Sequence, residues 1–279
     1  ASGFICVAGP GKPWHDATQQ FVDAKLKAFE HDWAKHWRGE LPITTASIDD
    51  ARRVLHDVVT TAAAMWHDEL APAVERVWTD EVTAIRRDLR AWLESVARDG
   101  TEWLPKYFEY GFGTVPGERD ARSRPEPVTL PGGFLLKGAI DLIEEHIQTK
   151  VLRVTDHKTG RKPDRIEKVI IDGGAVLQPV LYAMAVETAL DQPVYYGRLY
   201  YCTSAGSFYS HPIPLEERTR EAGLEVLQVV DRAIERGFLP APPTEDPCGR
   251  CDFRPVCGPE VFRRVLRKPQ DALADLHAL

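Results

Sequence analysis

Methionine and cysteine are scarce in this chain, 2 and 5 among 279 residues. No apolar run approaches the roughly 20 residues needed to span a bilayer, which excludes a helical membrane span. The amino terminus lacks a charged region leading into an apolar segment, and cysteines this few, three of them clustered near the end, do not make a disulfide framework. These absences predict a cytoplasmic protein with no membrane partner. Basic excess is missing too: the net charge is -7 and the pI about 5.8. That excludes a protein coated with nucleic acid by bulk charge, while leaving room for a local basic groove. No internal repeat is evident. Gly9-Pro10-Gly11-Lys12 lacks the upstream glycine of a phosphate loop, where Cys6 stands, and Pro13 replaces the hydroxyl residue, so the chain carries no ATPase motif.

What is present is a globular α/β pattern with 43% hydrophobic residues, enough for a substantial core. Val22, Leu26, Phe29, Trp33 and Trp37 recur at helical spacing over 14–38 and stop at Gly39. A second helix is expected from an N-cap at Ser47, with Asp49 and Asp50 in its first turn and Leu55, Val58, Ala62 and Met65 on its stripe. A third runs from Pro72 through Val74, Trp78, Val82, Ile85, Leu89, Trp92 and Val96 to Gly100. Its tryptophans read as core, not as a base-stacking platform. Residues 1–100 thus form a helical subdomain.

The segment 103–113 alternates like a strand, with Glu109 pointing either into a site or to water. The Pro- and Gly-rich stretch 114–132 reads as a mobile loop. Two strands joined by a polar turn follow over 134–160, then a helix over 174–190, strands over 193–202 and 207–213, and a helix over 216–236. The strands make a mixed central sheet flanked by helices, a core spanning 101–240, with a cysteine cluster and C-terminal helix over 241–279.

The hairpin carries charge where a core belongs. Asp141 lies on its first strand, Asp156 and Lys158 on its second, and residues two apart share a strand face. Adjacent pairing brings Asp141 beside them. Two carboxylates with one ammonium suit Mg2+ or Mn2+ and an activated water; an exposed hairpin with a surface salt bridge is the other reading. Arg161, Lys162, Arg165 and Lys168 follow the hairpin, and Arg263, Arg264, Arg267 and Lys268 follow the cysteines; either group is a phosphate contact or a solvated face. Cys248, Cys251 and Cys257 place three thiols on one short segment, which favours a bound metal. A fourth ligand is needed, Cys6 or Cys202, of which Cys202 reads as a core residue in a strand. Spacing alone does not separate zinc from an iron–sulfur cluster.

In order, Gly138-Ala-Ile-Asp141, fourteen residues, Asp156-His157-Lys158-Thr-Gly160, Gln178-Pro-Val-Leu-Tyr182 and Cys248-x2-Cys251-x5-Cys257 stand along the chain. This set resembles the PD-(D/E)XK nuclease superfamily in its RecB-like and AddB-like branch with an iron–sulfur cluster, and the CRISPR-associated iron–sulfur exonucleases, over roughly residues 100–260. The resemblance implies a restriction-endonuclease-like sheet, with Asp141, Asp156 and the His157 carbonyl on Mg2+ or Mn2+. Lys158 would orient the attacking water, and Gln178 and Tyr182 would position the DNA strand. It takes the fourth cluster ligand from the amino-terminal end, hence Cys6 and a [4Fe-4S] staple, whose long closed loop would stabilise the fold. Family members often add a histidine in a Gly-x3-His setting, matched by Gly11 to His15, although only eight residues separate Cys6 from His15. Trp66-His67-Asp68 repeats Trp14-His15-Asp16, so His67 competes, and a histidine with no role is open for both. The function implied is a metal-dependent DNA nuclease, an exonuclease on ends or single strands, in repair, recombination or phage defence. The rival readings are an accessory subunit active only with a helicase or CRISPR-adaptation partner, and a non-catalytic DNA-binding scaffold.

Overall fold

Apolar residues three and four apart build two long helices, α1 (Ile48–Leu70) and α2 (Glu75–Asp99), which pack on each other. The computed structural model describes residues 43–99, 102–113, 120–164, 166, 171, 174, 176–238, 248, 251–267 and 274. The helix expected over 14–38, with Cys6 and His15, lies outside the described residues. Asp49 and Asp50 sit in the first turn of α1, where carboxylates complement the helix dipole. Its buried stripe is Ala51, Leu55, Val59, Ala62 and Ala63, rotated from the expected one, and Met65 is 55% exposed. The three small alanines allow close packing, and of these the expected stripe held only Ala62. Ala71 closes α1 in the left-handed region, so α2 starts at Glu75 and not at Pro72. It buries Val82, Ile85, Leu89, Trp92 and Leu93.

Five strands form the central sheet: β1 (Trp103–Phe112), β4 (Gly138–His146), β5 (Leu152–Lys158), β6 (Val194–Tyr201) and β7 (Tyr209–Pro214), paired side by side in that order. Only β5 and β6 are parallel. A parallel pair needs a crossover, supplied by α3 (Gln178–Leu190). This mixed sheet flanked by helices matches the expectation. The expected strand from 134 is divided: Val128–Thr129 (β2) pairs with Leu135–Leu136 (β3) across a turn where Gly132 and Gly133 have φ of 83° and 84°. The described part of the expected loop over 114–132 therefore contains a strand of its own.

Helix α3 lies directly on the sheet. Pro179, Val180, Leu181, Ala183, Met184, Ala185 and Val186 are buried, so it is apolar nearly all round. Gly197 on β6 makes this possible: a Cβ there would come within 2.1 Å of the Pro179 carbonyl oxygen. Helix α4 (Glu217–Glu235) follows β7. The described residues fall into two compact units divided within α4, after Leu224. The second contains the short helices α5 (Arg254–Cys257) and α6 (Val261–Val265). Among the described residues no helix is long and apolar enough to cross a membrane.

Candidate active site

The β4–β5 ladder runs from Glu145 opposite Leu152 to Leu142 opposite Thr155. One step further, Asp141 and Asp156 would face each other, but the ladder is replaced: the His157 amide donates to Asp141 Oδ2 at 2.7 Å. Strand alternation sends Asp141, Asp156 and Lys158 to one face, the face on which α3 lies. Both carboxylates are largely buried, at 8% and 5% exposure by residue. Lys158 Nζ lies 2.6 Å from Asp156 Oδ2 and donates to Gln178 Oε1 at 3.1 Å. Gln178 also hydrogen-bonds the Tyr182 phenol one turn along α3.

Tyr182 leans on Gly138, where a Cβ would meet its Cε1 at 3.1 Å, and Phe112 stands edge-on with ring centroids 6.1 Å apart. Glycine in the Gly138-Ala-Ile-Asp141 stretch thus makes room for the tyrosine. Burial pushes the Tyr182 phenol up, the Asp156 and Asp141 charges add to this, and the Gln178 hydrogen bond opposes it without prevailing. The phenol stays protonated and can donate. Sequence reasoning missed Tyr201, which is paired with Lys158 across the parallel ladder and whose phenol is pushed up by burial and then by Asp156. Parallel pairing across a helix leaves no local signal that could have found it.

Other expected residues are placed as follows. The His157 ring packs against Trp92 and Tyr200, with centroids 6.4 and 5.8 Å away, and its Nδ1 is 3.9 Å from Asp141 Oδ2. Glu109 sits opposite Asp141 in the β1–β4 register, with φ of 51° and a buried Oε1, so that oxygen does not face water. Arg161 is exposed, whereas the Lys162 ammonium lies 4.6 Å from the Tyr209 ring centroid. Cys202 is buried, its Sγ 3.6 Å from the Lys158 carbonyl oxygen. His67 is engaged in the α1–α2 connection, 2.8 Å from Glu75 Oε2 and edge-on to Trp78.

The opposite face of the same strands holds a buried ion cluster that the sequence reading did not single out. Arg153 donates to both Glu144 oxygens, at 2.5 and 2.6 Å, and Arg198 donates to Glu144 Oε2 at 3.1 Å and to Thr155 Oγ1 at 2.7 Å. Thr155 closes the ring by donating to Glu144 Oε2 at 3.3 Å. Arg153 also reaches the Tyr196 hydroxyl and lies over the Trp103 ring. Burial alone would raise the Glu144 carboxyl, but the two guanidinium charges outweigh it and hold it well below the usual carboxylate range.

Carboxylates offer oxygen ligands only, so Asp141 and Asp156 suit a hard divalent cation. Among the described residues, no three His, Cys, Asp or Glu side chains are grouped to hold a metal ion. Two carboxylates and a backbone carbonyl fit a cation that keeps several waters. Cys248 and Cys251 line one open cavity with Asp252 and Glu260, and Cys257 ends α5.

A family model described as the PD-(D/E)XK nuclease superfamily matches residues 12–258. The chain belongs to the PD-(D/E)XK nuclease superfamily. Membership implies a metal-dependent nuclease, and PD-(D/E)XK nucleases generally use Mg2+ or Mn2+. No curated protein matches the chain.

Proposed function

We propose that this PD-(D/E)XK protein is a deoxyribonuclease of the RecB-like, iron–sulfur branch, an exonuclease acting on DNA ends or single strands in repair, recombination or phage defence. The observation that carries it is Asp141 bonded to the amide that follows Asp156, with a lysine held between Asp156 and Gln178. Asp141, Asp156 and the His157 carbonyl would hold Mg2+ or Mn2+, with His15 as a further ligand. When bound, the ion supplies positive charge against the scissile phosphodiester and acidifies water beside it. Lys158 orients the attacking water, and its own direction is fixed at two points, by Asp156 and by Gln178. Gln178 is then a lysine-positioning residue as well as a strand-facing one. The protonated Tyr182 donates to a phosphate oxygen, and Arg161 and Lys162 meet the strand as it leaves the site.

End-labelled single- and double-stranded DNA, incubated with pure protein and Mg2+, Mn2+ or EDTA, tests this reading. Metal-dependent shortening from one end is the expected result. Internal cuts would make the enzyme an endonuclease. Cleavage only after adding a helicase or CRISPR-adaptation subunit would make it an accessory nuclease, and no cleavage under any of these conditions would leave a scaffold.

Cys6, Cys248, Cys251 and Cys257 complete the proposal as a [4Fe-4S] staple, supported by three thiols on one short segment and by the resemblance to the iron–sulfur branch. Protein purified without oxygen should be brown, with iron and acid-labile sulfide. Cys6→Ser should bleach it and lower its Tm, because ligand binding to the native state is linked to folding. Colourless protein with one zinc would assign the site to that metal instead.

A further inference from the structure

The chemistry above leaves the ion cluster behind the carboxylates unused. Glu144, Arg153 and Arg198 have side chains only 7–8% exposed. Burying such charges is costly, and apolar side chains of the same volume would fill the space at least as well. Stability alone therefore gives no reason for them. Their distinctive property is geometric. Glu144 and Arg153 are cross-strand partners on β4 and β5, Thr155 and Arg198 are partners on β5 and β6, and Glu144 Oε2 receives both arginines. A one-residue slip of either strand would break the paired contacts and turn Asp141 or Asp156 to the other face. Arg198 is coupled to the site through a single peptide, because it holds Thr155 Oγ1 and Thr155 precedes Asp156.

We propose that Glu144, Arg153 and Arg198 are positioning residues: acting through Thr155, they hold β4, β5 and β6 so that Asp141 and Asp156 converge and Lys158 reaches Gln178. This inference rests on the nuclease reading, so its test needs one readout that does not involve cleavage. Thr155→Val removes the hydroxyl and keeps the shape; Arg198→Met removes the charge. Circular dichroism and melting establish folding, Mn2+ affinity is read by electron paramagnetic resonance without DNA, and kcat and KM are read on end-labelled DNA.

Both folded variants should bind Mn2+ about tenfold or more weakly and lose about tenfold or more in kcat, with little change in KM for DNA. Thr155→Ser should recover wild-type values. The double variant should be no worse than Arg198→Met alone, since both substitutions break one chain of contacts. Variants that melt lower yet bind Mn2+ and cut like wild type would reduce the cluster to a structural role and overturn the proposal. If Arg198→Met fails to fold, Thr155→Val decides the matter. If the wild type cuts no DNA, the nuclease reading falls and the Mn2+ affinities still judge the clamp; a wild type that binds no Mn2+ removes both.

Discussion

The two faces of one strand pair put like residues to opposite uses. On the α3 side, Asp156 and Lys158 meet at 2.6 Å with the lysine side chain 38% exposed. On the other side, Glu144 takes a two-pronged contact from Arg153 and another from Arg198, all of them nearly inaccessible to water. Charges satisfied in every direction hold a shape, whereas charges with an accessible side can still act on something else. Position along the strand is not the difference, since Asp156 and Thr155 are neighbours. What differs is the covering: an open lysine and a tyrosine on one side, and cross-strand ion pairs on the other.

The sharpest way to break the comparison is to truncate the α3 side. Asp156→Ala and Lys158→Ala should each cut cleavage by about a thousandfold while the fold and DNA binding persist. Gln178→Leu, which leaves Lys158 held by Asp156, should cost less, about tenfold. Cleavage by Asp156→Ala and Lys158→Ala at the wild-type rate would remove the catalytic assignment.

The same treatment on the far side should give the reverse outcome. Glu144→Leu leaves two buried guanidinium groups facing each other and should destabilise the fold by about 3 to 5 kcal/mol. Adding Arg153→Met and Arg198→Met should restore much of that stability, because no uncompensated charge remains. Urea unfolding of the single and triple variants measures this. A Glu144→Leu protein as stable as wild type would mean that the cluster is hydrated in solution.

The αβ order and the strand placement of Asp141, Asp156 and Lys158 were legible because they are local. Asp156 and Lys158 share a face by strand periodicity alone, and Asp141 falls beside them once the hairpin folds on its turn. The ion cluster was legible in principle: a register that sets Asp141 against Asp156 also sets Glu144 against Arg153. Its third member was not, because the Thr155–Arg198 pairing depends on a parallel crossover through α3. The division of the strand at 134–138 was hidden in the paired glycines Gly132 and Gly133, whose positive φ turns β2 onto β3. The rotation of the α1 stripe brings in Ala51, Val59 and Ala63, which the expected stripe left out although it held Leu55 and Ala62.

A third charged contact, exposed and away from the sheet, calibrates the two faces. His67 and Glu75 meet at 2.8 Å near the surface, and that hydrogen bond raises the imidazole pKa above its ordinary 6.5. A raised folded-state value means that the pair stabilises the protein fully below the unfolded pKa and loses this contribution as pH rises through the folded one. The effect should be the smallest of those considered, since exposed pairs are screened by water and salt. Comparing the Tm of wild type and His67→Gln, the gap should be widest below the ordinary imidazole value of 6.5 and close as pH rises through the raised folded-state value. Added salt should shrink it at the acid end. A gap that stays constant with pH would assign the contribution to the ring packing on Trp78, whose centroid lies 5.7 Å away, and not to charge.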